Sequence, residues 1–248
     1  MKSPAFRSGL IASLAFLASI AGLTGAQEKG GFRPALVGNG PKSLVNLIDT
    51  GKLMREGQQD AVVMFDAAIV DDEDGEAASF WCRGSAGSER LQKEVKEELR
   101  RAVFVPAVAH GRTVGVYFRG TVVFAVRDGR PRLQVFANQD RDELARGSDF
   151  IEPQLILGTD DWEEAKEYLG VLTHHWRQGI AVVRITVDAE GKRQAMALVK
   201  EEPKGLNIGA AALKTLSTAK FIPAFRNGHP VATAFEMLDY MYGYRYHR

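Results

Sequence analysis

The sequence predicts an α+β chain of two similar small domains, each an antiparallel sheet of about three strands packed with two helices. Three observations carry that expectation. First, FVPAVAHGRTV (residues 104–114) and FIPAFRNGHPV (221–231) share their punctuation: Phe221, Pro223, Ala224 and Gly228 each lie 117 positions after Phe104, Pro106, Ala107 and Gly111. Second, around both stretches, helical spacings of three and four alternate with β-branched runs that end in acidic turns with Gly. Third, 248 residues that are 45% hydrophobic and 25% charged suit one large core or two small ones and exclude a disordered chain.

The N-terminus has Lys2 and Arg7, then an apolar uncharged run from Gly9 to Leu23, then Thr24, Gly25 and Ala26. That order predicts a signal peptide over residues 1–26, cleaved before Gln27, and so a periplasmic or secreted protein. The alternative is an uncleaved N-terminal anchor, because the 18 uncharged residues from Gly9 to Ala26 reach the lower limit for spanning a bilayer.

Within the first predicted domain (32–126), FRPALVG leads into a helix over Pro41–Glu56, with Leu44, Leu47, Ile48 and Met54 on one face. A hairpin follows, Ala61–Val70 returning as Ala77–Cys82 around Gly75. Next comes a helix over residues 91–102, whose stripe is Leu91, Val95 and Leu99. Pro106 stops that helix and holds Val105 extended, while Phe104 becomes a core anchor at the joint. Gly111 then turns the chain into a last strand, Thr113–Val126.

The second predicted domain (151–248) repeats the plan. IEPQLILG leads into a helix over Asp160–Gln178, and Ile180–Val187 returns as residues 194–199 around Gly191. A helix over residues 208–220 presents Ile208, Ala212 and Leu216, and after Phe221 and Gly228 comes a last strand, Pro230–Tyr242. Between the domains, residues 127–150 read as a connector: a hairpin around Asp128-Gly129, then a polar loop.

Charge and chemistry narrow the function. Removing Lys2 and Arg7 takes the formal net charge from +1 to −1, which supplies no long-range pull toward nucleic acid. Cys82 is the single cysteine, so a packed core and not a disulfide framework must hold the fold, and its apolar setting predicts a buried thiol. His174 and His175 are adjacent, which points them about 100° apart on a helix and spoils a metal site. Aligning DDEDGE to a calcium loop puts Val70 and Trp81 at ligand positions. GNGPKS has Pro41 where a phosphate loop needs a donor, and RGSAG around Ser85 lacks the first Gly of a nucleophile elbow. No metal, no cofactor and no catalytic residue are therefore expected.

The second domain resembles the C-terminal domain of TonB energy transducers. The residues that carry the likeness are, in order, AVVRITV, DAEG, RQAMALV, IGAAALKTLSTAK, FIPA, NG and PVATAFEMLDYM. The likeness covers about residues 151–243, and residues 32–126 as a diverged copy. It extends to the domain type alone, since the chain has 9 prolines spread thinly and no Pro-rich spacer.

The resemblance implies a non-catalytic protein that contacts a protein partner in the cell envelope through a strand added beside its final strand. Its candidate contact residues are Val231, Thr233, Phe235, Tyr240, Tyr242, Tyr244 and Tyr246. On an extended strand the four tyrosines would share one face. The alternatives are an enzyme using an inter-domain cleft, with His110, His229 or the His174-His175 pair, and a purely structural envelope component.

Overall fold

The computed structural model describes residues 31–71, 75–147, 149–159, 178–205 and 207–242. The leader, the helix expected over Asp160–Gln178 apart from its last residue, and Tyr244 and Tyr246 lie outside the described residues. In chain order the elements begin with β1 (Phe32–Arg33), α1 (Leu44–Leu47), α2 (Thr50–Arg55), β2 (Ala61–Ile69), β3 (Ala77–Gly84) and α3 (Glu89–Leu99). There follow β4 (Ala107–Ala109), β5 (Arg112–Val114), β6 (Val116–Arg127), β7 (Arg130–Phe136), α4 (Arg141–Arg146), β8 (Phe150–Ile151) and β9 (Gln154–Ile156). The last are β10 (Gln178–Val187), β11 (Arg193–Glu202), α5 (Ile208–Leu216), β12 (Phe221–Ile222), β13 (Ala224–Arg226), β14 (His229–Val231) and β15 (Thr233–Tyr242). The class is α+β, and all strand pairings among the described residues are antiparallel.

The pairing pattern recurs along the chain. In the first half β2 lies between β3 and β6, and in the second β10 lies between β11 and β15. The registers correspond: Ile69 faces Val116 as Val187 faces Thr233, offsets of 118 on one strand and 117 on the other. Likewise β1 pairs with β4 as β8 pairs with β13. The turns before the last strands also agree, with His110 and Gly111 at φ 51° and 77°, and Asn227 and Gly228 at 50° and 72°. Two successive positive φ values make the tight turn that suits strand twist.

The repeated punctuation fixes one packing unit in each half. Phe104 and Phe221 are each 2% exposed. Phe104 lies 5.2 Å from Phe118, and Phe221 lies 6.0 Å from Phe235, ring centre to ring centre. The hairpin glycines close against the same joint: a Cβ on Gly75 would lie 2.0 Å from the Phe104 carbonyl oxygen, and one on Gly191 2.3 Å from that of Phe221. Both positions also have positive φ, so only glycine fits them without strain.

Where about three strands are expected in each sheet, the first main sheet has six, because β7, β9 and β12 join β2, β3 and β6, while the second has three. A helix stripe lies on one face of each. Leu91, Val95 and Leu99 of α3 are fully buried, as are Ile208 and Ala212 of α5, with Leu216 nearly so. Each large member contributes about 1.5–3 kcal/mol by leaving water. The halves interlock, because Ile156, Ile222 and Phe225 bury into the core built mainly by residues 32–124. Strand β9 adds to β6 through Val116 and Tyr117, and the Gln154 amide bonds both the N–H (2.8 Å) and the carbonyl (2.9 Å) of Ala35.

Four expected elements are corrected. The helix expected over Pro41–Glu56 is two short ones, because Ile48 is extended and the Asp49 carboxylate takes the N–H of Lys52 to start α2. Each expected last strand is broken once, at Gly115 and at Ala232, where the chain leaves a small hairpin partner and joins the main sheet. The expected polar loop after the Asp128-Gly129 hairpin holds α4, capped by Asp140, and its Asn138 and Gln139 are buried.

Candidate functional site

Strand β15 is a sheet edge. It pairs with β10 along its whole length, and among the described residues nothing pairs on its other side. The corresponding strand β6 is closed on that side by β7 along Thr121–Arg127 and by β9 at Val116 and Tyr117. An unpaired row of backbone N–H and C=O groups is what an incoming strand needs.

The described members of the expected contact set fall at separate register positions. Val231 is on β14, opposite Ala224, and Thr233 opens β15 opposite Val187. Phe235 is 5% exposed and serves the core beside Phe221, so its side chain is not offered to a partner by an exposed face. Tyr240 and Tyr242 sit opposite Ile180 and Gln178 at the far end of the ladder. Strand parity separates the odd-numbered residues from the even-numbered ones.

Ala234, Phe235, Glu236 and Leu238 of β15 line a cleft of about 590 Å³ between the two main sheets, where the Arg119 guanidinium lies 6.0 Å from the Phe235 ring centre. Its walls include Met64 and Arg119 from the first sheet, and Val182, Arg184, Ala234, Glu236 and Leu238 from the second, with Arg83, Gln139–Arg141 and Glu152 around them. The walls are equivalent surfaces, since Met64 and Val182, and Arg119 and Glu236, correspond through the repeat offsets. Opposite charges cross each ladder at the same place with reversed polarity: Asp66 faces Arg119, and Arg184 faces Glu236. The first pair is buried at 3.5 Å, the second exposed at 2.6 Å.

Arg119 organises the buried side. Its Nη2 donates to the Gln139 side-chain oxygen (3.1 Å), as does Arg83 (2.9 Å), while the Gln139 amide donates to Asp66 (3.0 Å) and to the Phe65 carbonyl (2.8 Å). Glu152 accepts from the Gln139 backbone N–H (3.1 Å). Its other oxygen lies 3.0 Å from Arg119 Nη1, within ion-pair range but misaligned, so neither atom has a hydrogen-bond partner among the described residues. Burial pushes the Glu152 and Asp66 carboxyls above their ordinary values, and Arg119 pulls both back.

This cluster is absent from the sequence reading, although a signal existed. Asp66 interrupts an apolar strand and Arg119 another, and the repeat offsets align them with Arg184 and Glu236. Of the histidines of the enzyme alternative, His110 sits in its turn against Phe32 (4.8 Å) and His229 opens β14, neither among the cleft residues, and His174 and His175 are outside the described residues. Cys82 is buried as expected, and burial pushes its thiol up to about 12. Among the described residues no helix is long and apolar enough to cross a membrane. Compared with protein-family models, curated proteins and solved structures, the chain matches none.

Proposed function

We propose that this chain is an exported, non-catalytic envelope protein built from two tandem units similar to the TonB C-terminal domain, which binds a protein partner by strand addition along β15. The observation that carries this reading is the contrast between equivalent strands: β6 has its outer edge filled by β7 and β9, whereas β15 pairs only with β10 among the described residues. Backbone bonds along that edge would supply affinity, and the residues alternating along it selectivity. The leader, the repeated order of elements and the acidic Gly turns support the export and the domain type.

Deleting β15 would not test this, because Phe235 and Met237 belong to the core. The edge is better filled. A variant in which the sequence of residues 128–136 follows Tyr242 supplies β15 with its own hairpin partner, as β7 does for β6. Partners captured from envelope extract by the unaltered chain should be lost from this variant at unchanged Tm. Retention of the same partners overturns the strand-addition reading.

A further inference from the structure

We propose that the inter-sheet cleft is a binding site for a small organic carboxylate, taken up between Arg83 and Arg141 with its apolar body against Met64, Val182 and Leu238. This assignment is independent of the partner-binding edge. The volume of about 590 Å³ is in the ordinary range for a small-molecule site. Four arginines from four separate elements line it: Arg83 on β3, Arg119 on β6, Arg141 on α4 and Arg184 on β10.

They are not equally available. Arg184 is paired with Glu236, and Arg119 is committed to Asp66, Glu152 and Gln139. Arg83 spends one nitrogen on Gln139, and exposed Arg141, two residues further along the chain, has no hydrogen bond or ion pair with a described residue. Gln139 thus holds the Arg83 guanidinium, and Arg141 lines the same cleft, each with spare donors. Arg119, 8% exposed and held 3.0 Å from Glu152, lends the cleft wall a buried cation and leaves the direct contacts to Arg83 and Arg141.

The rest of the lining sets the ligand's charge and shape. Glu152, Asp140 and Glu236 face the cleft and Asp66 lies behind Arg119, so a multiply charged anion meets repulsion that a single carboxylate largely avoids. Met64, Val182 and Leu238 offer apolar area that an inorganic ion would leave unused.

Isothermal titration of the purified protein with octanoate, acetate, inorganic phosphate and octylamine tests the assignment. Octanoate is expected to saturate one site, with the other three at least about tenfold weaker. Arg141→Gln, at an exposed position, should weaken octanoate at least about tenfold without moving Tm, because a charge-assisted contact is lost. Arg146→Gln, which changes an arginine outside the cleft lining, should leave binding unchanged. Absence of saturable octanoate binding, equal binding of octylamine, or full octanoate affinity in both Arg141→Gln and Arg83→Gln would overturn it.

Discussion

Replacing Arg119 by leucine isolates the electrostatics of the cleft floor. The substitution removes the cation that lies 3.5 Å from Asp66 and 3.0 Å from Glu152, both with side chains no more than 10% exposed. Breaking a buried ion pair from one side costs about 3–5 kcal/mol, since the stranded carboxylates keep their desolvation penalty. For a chain of this size that corresponds to a Tm lower by roughly 6–20 °C at pH 7. The loss has a definite pH dependence. Burial already raises both carboxyls, and without Arg119 they rise further, so the folded variant holds protons that the unfolded chain has released.

Stability of the variant therefore increases as pH falls through the raised values, and the relief is complete below the ordinary carboxyl range, near pH 4. Urea unfolding at pH 7, 6, 5 and 4 should show the deficit against the parent chain shrinking stepwise. The triple variant Asp66→Asn, Arg119→Leu, Glu152→Gln, with no charge left in the network, should recover most of the loss at pH 7. A deficit under about 1 kcal/mol at pH 7, or one that does not change with pH, would refute the account.

Two further outcomes are expected. Gly75→Ala and Gly191→Ala should each cost at least about 3 kcal/mol by thermal unfolding, because strained φ is compounded by a Cβ at 2.0 or 2.3 Å from a carbonyl oxygen. Gly129→Ala, with similar φ but open space around it, should cost only about 1–2 kcal/mol, and equal losses at all three sites would contradict the proposed close approach. Cys82, with its thiol pushed up to about 12, should react with a thiol reagent at pH 8 at least about 100-fold more slowly in the native than in the unfolded protein.

The sequence exposed the parts of this fold that depend on local rules. Proline after an aromatic, glycine in a tight turn and apolar residues at helical spacing act within a few positions, so the hairpins and the stripes of α3 and α5 could be read directly. What escaped depends on distant neighbours. The break between α1 and α2 follows Asp49, whose backbone is also held by Glu94, 45 positions away. The interlocking of the halves rests on Gln154 finding Ala35, a partner 119 positions distant. The cleft was illegible for the same reason: Asp66 and Arg119 look like two isolated polar interruptions until the sheet sets them opposite one another. The open edge of β15 was legible only through its place as the last strand, and Phe235 shows the limit of that reading, because strand parity turned its side chain into the core.

The reversed polarity of the two cross-strand charge pairs has a consequence for folding. A chain carrying two alike halves risks assembling one half with a strand borrowed from the other, in the same molecule or between molecules. Were β6 to dock on β10 in place of β15, Arg119 would come opposite Arg184; were β15 to dock on β2, Glu236 would come opposite Asp66. Each exchange sets like charges face to face in a directly opposed pair, whereas each correct pairing sets opposite ones. The two salt links thus act as a lock-and-key code between sister strands, penalising trespass at the one step where the halves' likeness would otherwise make it easy.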